Sequence, residues 1–272
     1  MVLRFRRVPY LGPVRSIKGQ ILPLSLMEGA YLVTGASRGI GKSIALSIAR
    51  NGNPVIALAR QSNELESVKS ELLELQPDSI IIACDLGVSS HITDAVAKVS
   101  SKFSHLSGIV HNAGTIHPIE NMMDANIENW SNSIQVNLIG VQDLTNQLKS
   151  SIGGQSHTRI TAISSGAAKR SIHGWSAYCV SKAGLDMWSM CMAEEGAGRN
   201  ISSLSIAPGI VDTGMQEDIR SAKPESFPSL ESFVGYYENG DLTNPDDVAE
   251  KLLPFCLGIK GENGNRLDVR NL

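Results

Sequence analysis

The fold of this chain is decided by the stretch Ala30-Tyr31-Leu32-Val33-Thr34-Gly35-Ala36-Ser37-Arg38-Gly39-Ile40-Gly41. An apolar run opens it, a glycine-rich turn follows, and apolar residues at helical spacing come next: Ile44, Ala45, Ile48 and Ala49. This order predicts a strand, a tight turn and a helix. Glycines let a backbone approach a pyrophosphate closely, and a helix N-terminus offers it free amides. An ordinary strand–helix turn is the alternative, but the flanking strand and helix favour phosphate binding.

Downstream, apolar strand-like runs alternate with amphipathic segments. We predict strands over 54–60, 79–84, 108–111, 159–163, 201–207 and 264–269, and helices over 64–75, 92–103, 126–151 and 174–197 with a last one from Asn244. Strands alternating with helices of this length predict a parallel, doubly wound α/β sheet of the Rossmann type in a single domain, 28–272. Residues 214–240 lack strong periodicity and are predicted to be a long loop, as in many lids.

The end of the second strand indicates the cofactor. NAD-binding sheets usually place an acid there to hold the ribose diol, and this chain has Arg60 instead. Arg38 lies in the glycine-rich turn, and two guanidinium groups suit a 2′-phosphate. We therefore predict NADP(H), although Arg60 as a solvated residue at a strand end is the alternative.

Two further turns follow predicted strands, so they should share one sheet edge with the glycine turn. The first begins at Asp85-Leu86, where Asp85 is predicted either to accept a hydrogen bond from the adenine amino group or to cap the next helix. The second is Asn112-Ala113-Gly114.

The predicted helix 174–197 carries the reactive pair Tyr178 and Lys182, four residues apart and so on one face. A nearby ammonium favours the phenolate and should lower the pKa of Tyr178. A phenol tuned in this way can exchange a proton with a carbonyl or alcohol oxygen. Ser164-Ser165 closes the preceding strand and could direct a hydroxyl at the same oxygen. Asn137 interrupts a helical run and is either exposed or holds a water behind Lys182.

Composition excludes several other classes. The chain has 272 residues, 42% of them hydrophobic, and a formal charge of −3, which gives no footprint for nucleic acid or an anionic membrane. The four cysteines are scattered without a CxxC pair, which suits a reducing compartment, and the histidines have no ligand spacing, so we predict no metal. No apolar run approaches the roughly 20 residues needed to span a bilayer.

Residues 1–27 differ from the rest of the chain. They contain basic residues, no acid and three prolines. We predict a disordered N-terminal extension, or a start codon placed ahead of Met27, since prolines oppose a continuous helix. A cytoplasmic protein is expected in that case, and a mitochondrial presequence is the alternative.

Together these motifs resemble the short-chain dehydrogenase/reductase family over essentially all of 28–272. The match rests on Thr34–Gly41, Asp85-Leu86, Asn112–Gly114, Asn137, Ser165, Tyr178-x-x-x-Lys182 and Pro208-Gly209. The resemblance implies Tyr178 as general acid/base, Ser165 as the hydroxyl that polarises the carbonyl, Lys182 on the nicotinamide ribose, and Asn137 on a proton-relay water. It also implies cofactor contacts by the residues Gly35, Ser37, Arg38, Gly39, Ile40, Gly41, Arg60, Asp85, Leu86, Asn112, Ala113, Gly114, Pro208, Gly209, Val211 and Thr213. A homodimer or homotetramer is implied as well.

A closer resemblance is to the sepiapterin reductase branch. It rests on Gly174–Cys179, on Pro208–Met215 and on Asp268, where that branch keeps an aspartate for the pterin ring. Relatives in that branch reduce α-diketones such as benzil. The sequence departs from the branch at Lys169, Arg170 and His173, and residues 216–240 match no pattern. A solvated carboxylate is the alternative for Asp268.

The resulting hypothesis is an NADPH-dependent carbonyl reductase acting on a small-molecule α-diketone or pterin side-chain ketone. A 3-oxoacyl-thioester reductase is the second enzyme hypothesis. A non-catalytic NADP(H)-binding regulator is a hypothesis of another class, disfavoured because Ser165, Tyr178 and Lys182 are all present.

Overall fold

A seven-stranded sheet, with every neighbouring pair parallel, forms the centre of the computed structural model, which describes residues 26–27 and 29–272. The spatial order is β3-β2-β1-β4-β5-β6-β7. The strands are β1 (Ala30–Thr34), β2 (Val55–Ala59), β3 (Ile80–Ala83), β4 (Leu106–His111), β5 (Thr158–Ile163), β6 (Ile201–Ala207) and β7 (Arg266–Asp268). The prediction of one doubly wound parallel sheet is confirmed.

Helices cover both faces of the sheet and enclose two apolar cores. One core packs α1 and α9 on the sheet, and the other packs α3, α5 and part of α6. The α-helices are α1 (Gly39–Arg50), α2 (Asn63–Leu75), α3 (Ser89–Lys102), α4 (Ile127–Ile134), α5 (Gly140–Gln147), α6 (Ser176–Gly196), α7 (Gly214–Arg220), α8 (Leu230–Glu238) and α9 (Pro245–Cys256). Strands β1, β2 and β5 are buried along their whole length, which explains their continuous apolar runs.

Local capping signals fix several helix starts. The Ser62 hydroxyl accepts from the Leu65 amide at the start of α2. Asn244 accepts from the Asp246 amide at the start of α9, where Pro245 occupies the first turn and needs no partner for an N–H. These are the cap residues that the sequence pattern favours.

Two predicted elements differ in the structure. The helix expected over 126–151 is broken, because a π-helical turn, Gln135–Ile139, separates α4 from α5. The loop expected over 214–240 instead contains α7 and α8. Their apolar residues pack on a compact aromatic cluster and not on the sheet, so they show no clean stripe of the usual kind.

At the N-terminal side, Met27 forms a parallel bridge with Phe103, and its amide donates to the Lys102 carbonyl at 3.0 Å. Met27 is therefore held against the end of α3. The predictions for residues 1–27 otherwise concern residues outside the described part of the chain.

The topology sets the position of any bound nucleotide. The strand order reverses direction between β1 and β4, and ligands of open α/β sheets bind at the carboxyl ends of the strands at such a point. The turns after β1 and β4 meet there.

Candidate active site

The glycine turn after β1 is packed so closely that it leaves no room for side chains. A Cβ on Gly41 would overlap the Gly35 carbonyl and the Asn112 amide, and one on Gly35 would lie 2.9 Å from the Ala113 Cα. Gly35 and Gly39 have φ of +66° and +55°. Helix α1 begins here with no side-chain cap and no acid in its first turn. Its free amides thus fit a phosphate group.

The turn after β4 is tied to the glycine turn by hydrogen bonds. The Thr34 hydroxyl accepts from the amides of Asn112 and Ala113, both at 3.0 Å. The Asn112 side chain donates back to the Thr34 carbonyl at 3.0 Å. Thr34 and Asn112 together therefore hold the rim of the nucleotide cleft. The sequence motif alone did not reveal the part of Thr34.

Both predicted phosphate ligands are exposed on this side of the sheet. Arg60 directly follows β2, and Arg38 is the residue before α1. The Arg38 guanidinium lies 3.1 Å from the point where a Cβ on Gly214 would be, at the start of α7. Neither guanidinium forms a hydrogen bond or salt bridge with the residues that the structure describes.

Asp85 does not cap α3. Its carboxylate accepts from the Gly87 amide at 2.8 Å, closing the turn after β3, while Val88 precedes the helix without a side-chain cap. Leu86 beside it is 4% exposed and packs in the sheet core. The backbone of this turn is thus fixed next to the nucleotide cleft.

Asn137 is completely buried, so its interpretation as an exposed residue is wrong. The π-helical turn points its amide at Thr115, whose N–H donates to it and whose carbonyl accepts from it, both at 2.8 Å. Its side chain also donates to the Ser181 hydroxyl at 2.9 Å on α6. A Cβ on Gly114 would lie within 3.5 Å of both the Asn137 amide and the Lys182 nitrogen, which shows that the two groups converge.

Lys182 is buried inside the site. Its ammonium donates to the Ile163 carbonyl at 2.9 Å, at the carboxyl end of β5. Burial lowers its pKa to about 8, and the Asp186 carboxylate one turn along α6 opposes that shift.

Tyr178 lies one turn before Lys182, as predicted, with the ammonium 5.8 Å from its ring centre. The expected lowering of its pKa is not found in the chain alone: burial raises the pKa of Tyr178 to about 12, and the Ser165 hydroxyl offsets only part of that rise. Removal of the phenol from water outweighs the nearby cation, whose hydrogen bond goes to Ile163. The Tyr178 hydroxyl donates to the Met215 sulfur at 3.9 Å.

The two serines after β5 have different surroundings. The Ser165 hydroxyl accepts from the Ala167 amide at 3.1 Å and is half-buried. Ser164 is buried, and its hydroxyl has no hydrogen-bond partner among the described residues. The structure therefore brings Ser165, and not Ser164, to Tyr178.

The loop after β6 closes the nucleotide side of the site. Pro208-Gly209 leaves the sheet with Gly209 at φ +82°, and Val211 pairs with Thr243. The Thr213 methyl group lies 3.0 Å from the position of a Cβ on Gly39. Of the predicted cofactor residues after β6, Thr213 therefore faces the glycine turn.

An aromatic wall borders the other side of Tyr178. Trp175 stacks on Phe227 at 5.0 Å between ring centres and meets the Tyr178 ring edge-on at 5.8 Å. Phe233 of α8 packs on both rings of that stack. Sequence reasoning missed Phe227, Phe233 and Met215 as neighbours of the tyrosine, because no local pattern links them to it.

Asp268 is not a solvated carboxylate. It accepts from the Arg270 guanidinium at 2.7 and 2.9 Å and from the Arg270 amide at 3.0 Å, and these bonds lower its pKa to about 2. A second arginine of this region, Arg266, reaches the site itself: it donates to the Ser165 carbonyl at 2.9 Å and to the Asp186 carboxylate at 3.0 Å. Neither Arg266 nor Asp186 was predicted.

Among residues 26–27 and 29–272, no cluster of three or more His, Cys, Asp or Glu side chains could hold a metal ion. No helix in the same part of the chain is long and apolar enough to cross a membrane.

The fold and this arrangement define an oxidoreductase with a dinucleotide cleft. A model of the short-chain dehydrogenases matches residues 30–224, and the chain belongs to this family, whose members use NAD(P)(H). Two relatives are named benzil reductase ((S)-benzoin forming). The one from Bacillus subtilis is 34% identical over 88% of this chain and 98% of its own length, and the one from Saccharomyces cerevisiae is 33% identical over 85% and 91%. The crystal structure of the KRED1-Pglu enzyme superposes with a TM-score of 0.79, at 31% identity, over 88% of this chain and 99% of that one.

Proposed function

We propose that this protein is an NADPH-dependent carbonyl reductase whose substrates are α-diketones such as benzil or ketones on a pterin side chain. One observation supports it above the others: the Tyr178 hydroxyl, the Ser165 hydroxyl, the Lys182 ammonium and the Asn137 amide converge where β4 and β5 end, beside the glycine turn. The benzil reductase relatives support the diketone part.

The chemistry requires proton donation to the carbonyl oxygen as negative charge grows there, while the bound NADPH supplies the hydride. Tyr178 donates that proton, since a phenol is protonated at neutral pH and Tyr178 lies beside Ser165 and Lys182. The Ser165 hydroxyl donates a hydrogen bond to the same oxygen, and both bonds strengthen in the transition state. Lys182 holds the nicotinamide ribose and supplies positive charge near the phenol.

Asn137 acts through the loop that it anchors. Its amide pairs with both backbone groups of Thr115, directly after Gly114, and its carbonyl oxygen and the Lys182 nitrogen both lie within 3.5 Å of the position of a Cβ on Gly114. A π-helical turn often marks a functional position because it displaces one residue from the regular helix. Here it turns a polar side chain into the site, where a water joining Asn137 to Lys182 would return the proton to Tyr178.

The preference for NADPH is proposed from the two arginines. Arg60 and Arg38 are exposed beside the cleft, and no acid stands at the end of β2 to repel a 2′-phosphate. On the substrate side, Asp268 is held by Arg270, so contact with a substrate would compete with that ion pair.

Assembly into a dimer or tetramer is part of the proposal. Large apolar side chains are exposed on α6 and the π-helical turn: Ile139, Val180, Met187 and Met190. Val180 and Met187 are seven residues apart and share one face of α6. Light scattering of the purified protein tests this, and a monomer would contradict it.

The central experiment follows the loss of NADPH absorbance with benzil, a small aliphatic diketone, sepiapterin and an acetoacetyl thioester, with NADH as the control cofactor. Turnover of a diketone or sepiapterin with NADPH supports the proposal. Turnover of the thioester alone would replace it with 3-oxoacyl-thioester reduction. No turnover with intact NADPH binding would favour a non-catalytic regulator.

A pair of variants tests the role of Tyr178. Tyr178→Phe removes only the hydroxyl and should lower kcat by about 10²–10⁴-fold. Tyr237→Phe is the matched control, since that phenol is 55% exposed on α8 and stacks under Arg220. If Tyr178→Phe keeps most of its turnover, the proposed mechanism is wrong.

A further inference from the structure

Arg266 links the turn after β5 to α6 at a point beyond the hydrogen bond between Lys182 and the Ile163 carbonyl. Arg266 is the first residue of β7 and pairs with Ser205 of β6. Its guanidinium donates through Nη2 to the Ser165 carbonyl at 2.9 Å and through Nε to the Asp186 carboxylate at 3.0 Å. The side chains of Arg266 and Asp186 are only 14% and 15% exposed.

The two acceptors belong to different elements. Ser165 follows β5 and caps a short 3₁₀ turn, Gly166–Lys169, whereas Asp186 lies on α6, one turn beyond Lys182. A guanidinium is rigid and planar and presents several donors in a fixed fork, so it can fix the angle and distance between two acceptors. A lysine ammonium on a flexible stem cannot impose that geometry.

We propose that Arg266 and Asp186 form a positioning clamp that holds Ser165 in register with the helix carrying Tyr178 and Lys182. The inference deepens the proposed function and rests on it, since register between these hydroxyl groups matters only if both act on one carbonyl oxygen. Arg266 touches neither a reacting group nor the cofactor side of the site, so it acts through Ser165 and Asp186.

The clamp has a second, electrostatic effect. Tyr178 and Asp186 are the titratable groups that face Lys182 from α6, one turn to either side. Strand β5, the Asn112 turn and the π-helical turn face it with the Ile163 carbonyl, Gly114 and the neutral Asn137 amide. The Asp186 carboxylate favours the charged form of Lys182. Arg266 is paired to that carboxylate and weakens this influence.

The ion pair between Arg270 and Asp268, in contrast to that of Arg266, is purely local. Arg270 binds Asp268 within three residues, with the arginine side chain 63% exposed, and it makes no hydrogen bond to another strand or helix among the described residues. Arg266, in contrast, crosses 101 positions of sequence to reach Ser165.

The first test separates positioning from general stability. Arg266→Lys and Asp186→Asn should each lower kcat by about 10- to 100-fold, because a displacement of about 1 Å at the reacting groups can cost that much. The KM for NADPH should change by less than about two-fold at pH ~6, where Lys182 is charged in every variant. Because the two side chains act as a unit, the double variant should be no worse than the poorer single one.

Glu71→Gln is the matched control. It removes the partner of Lys42, an ion pair of 2.8 Å between α1 and α2, away from Ser165 and α6. It should leave kcat unchanged. Additive losses in the double variant, unchanged kcat in either single variant, or loss of NADPH binding together with kcat would each overturn the clamp.

The second test is a pH signature that loss of stability cannot imitate. Asp186→Asn removes the anion that favours charged Lys182, so the alkaline limb of kcat/KM should move to lower pH. Arg266→Gln frees that anion, so the same limb should move to higher pH, each by roughly half a unit or more. Shifts in the same direction, or none, would overturn the proposal.

The pH dependence of NADPH affinity, followed by its fluorescence, gives the same comparison without turnover. If no carbonyl compound is reduced but the affinity profiles of Asp186→Asn and Arg266→Gln shift in opposite directions, the electrostatic coupling of Arg266 and Asp186 to Lys182 stands, and the proposed function fails together with the catalytic role of the clamp. If the wild type reduces a diketone and both the activity and affinity profiles stay fixed, the function stands and the clamp fails.

Discussion

The two sides of the active-site cleft are built by different means. On the nucleotide side, backbone atoms pack so closely that Gly35 and Gly41 leave no space for a Cβ. On the substrate side, Phe227 and, from α8, Phe233 place large rings against Trp175, and a Cβ on Gly235 would meet nothing within 4 Å. One wall depends on the absence of side chains and the other on their bulk.

This difference shows where each wall is sensitive to change. The nucleotide wall follows from sequence-local geometry, since its turn needs glycines with positive φ. The substrate wall follows from contacts between segments about 50 residues apart, such as Trp175 with Phe227. Added side-chain volume should therefore destabilise the nucleotide wall, and loss of side-chain volume should destabilise the substrate wall.

The largest effect is expected at Phe227. This ring is fully buried and stacked on Trp175, so Phe227→Ala should lower the free energy of unfolding by about 3–5 kcal/mol. Urea denaturation measures this change. Phe227→Leu keeps most of the volume and is the control. An alanine variant as stable as the leucine variant would show that α7 and α8 do not depend on the stack.

The next effect tests the other wall by adding one methyl group. Gly41→Ala should destabilise the protein by about 1–3 kcal/mol and abolish NADPH binding, because its Cβ collides with the Gly35 carbonyl and the Asn112 side chain. Calorimetric titration with NADPH checks the binding. Gly235→Ala in α8 is the control and should be neutral or stabilising by up to about 1 kcal/mol. Equal costs for the two substitutions would remove the contrast between the walls.

Cofactor choice should depend on the nucleotide wall alone. Arg60→Ala should lower kcat/KM for NADPH by about 10- to 100-fold, the loss expected for charge-assisted hydrogen bonds to a phosphate, and leave NADH turnover unchanged. Arg50→Ala, at the exposed end of α1, is the control. Wild-type enzyme that uses NADH and NADPH equally well would contradict the role of Arg60.

At neutral pH the smallest effect is expected at His111, which is buried at the end of β4. Its Nε2 bonds the Thr145 hydroxyl at 2.9 Å, its Nδ1 has no partner among the described residues, and burial lowers its pKa to about 3. In the unfolded chain the pKa of His111 is near 6.5. Between about pH 6.5 and 3 the imidazole is therefore protonated in the unfolded state and neutral in the folded state. Stability is therefore full above that window and falls within it by up to about 1.4 kcal/mol per pH unit.

His111→Phe keeps a ring against Trp188, which meets His111 edge-on, and should reduce this slope. Urea unfolding at a series of pH values tests it, with an unchanged m-value as the control for the denatured state. An identical slope in the variant would mean that other groups set the acid limit.

The same contrast explains what the sequence could predict. The alternation of strands and helices, the glycine turn and the spacing of Tyr178 and Lys182 all have short-range signals in the sequence. The parallel sheet and the positions of these residues follow from them. The helices in 214–240 were missed because their apolar residues face a local aromatic cluster. Arg266 was missed because nothing nearby in sequence distinguishes it from any strand arginine. The pKa of Tyr178 was predicted in the wrong direction, since spacing shows a cation but not the burial that outweighs it.

Strand β7 has a consequence for the order in which the protein matures. It is the last strand in chain order, yet it supplies the guanidinium that binds the Ser165 carbonyl and Asp186. During synthesis the N-terminal part of a domain emerges first. A nascent chain can therefore assemble β1 to β5 and the glycine turn while the Ser165 carbonyl still lacks the Arg266 guanidinium. The contacts that fix Ser165 to α6 are completed only when Arg266 has left the ribosome and paired with β6.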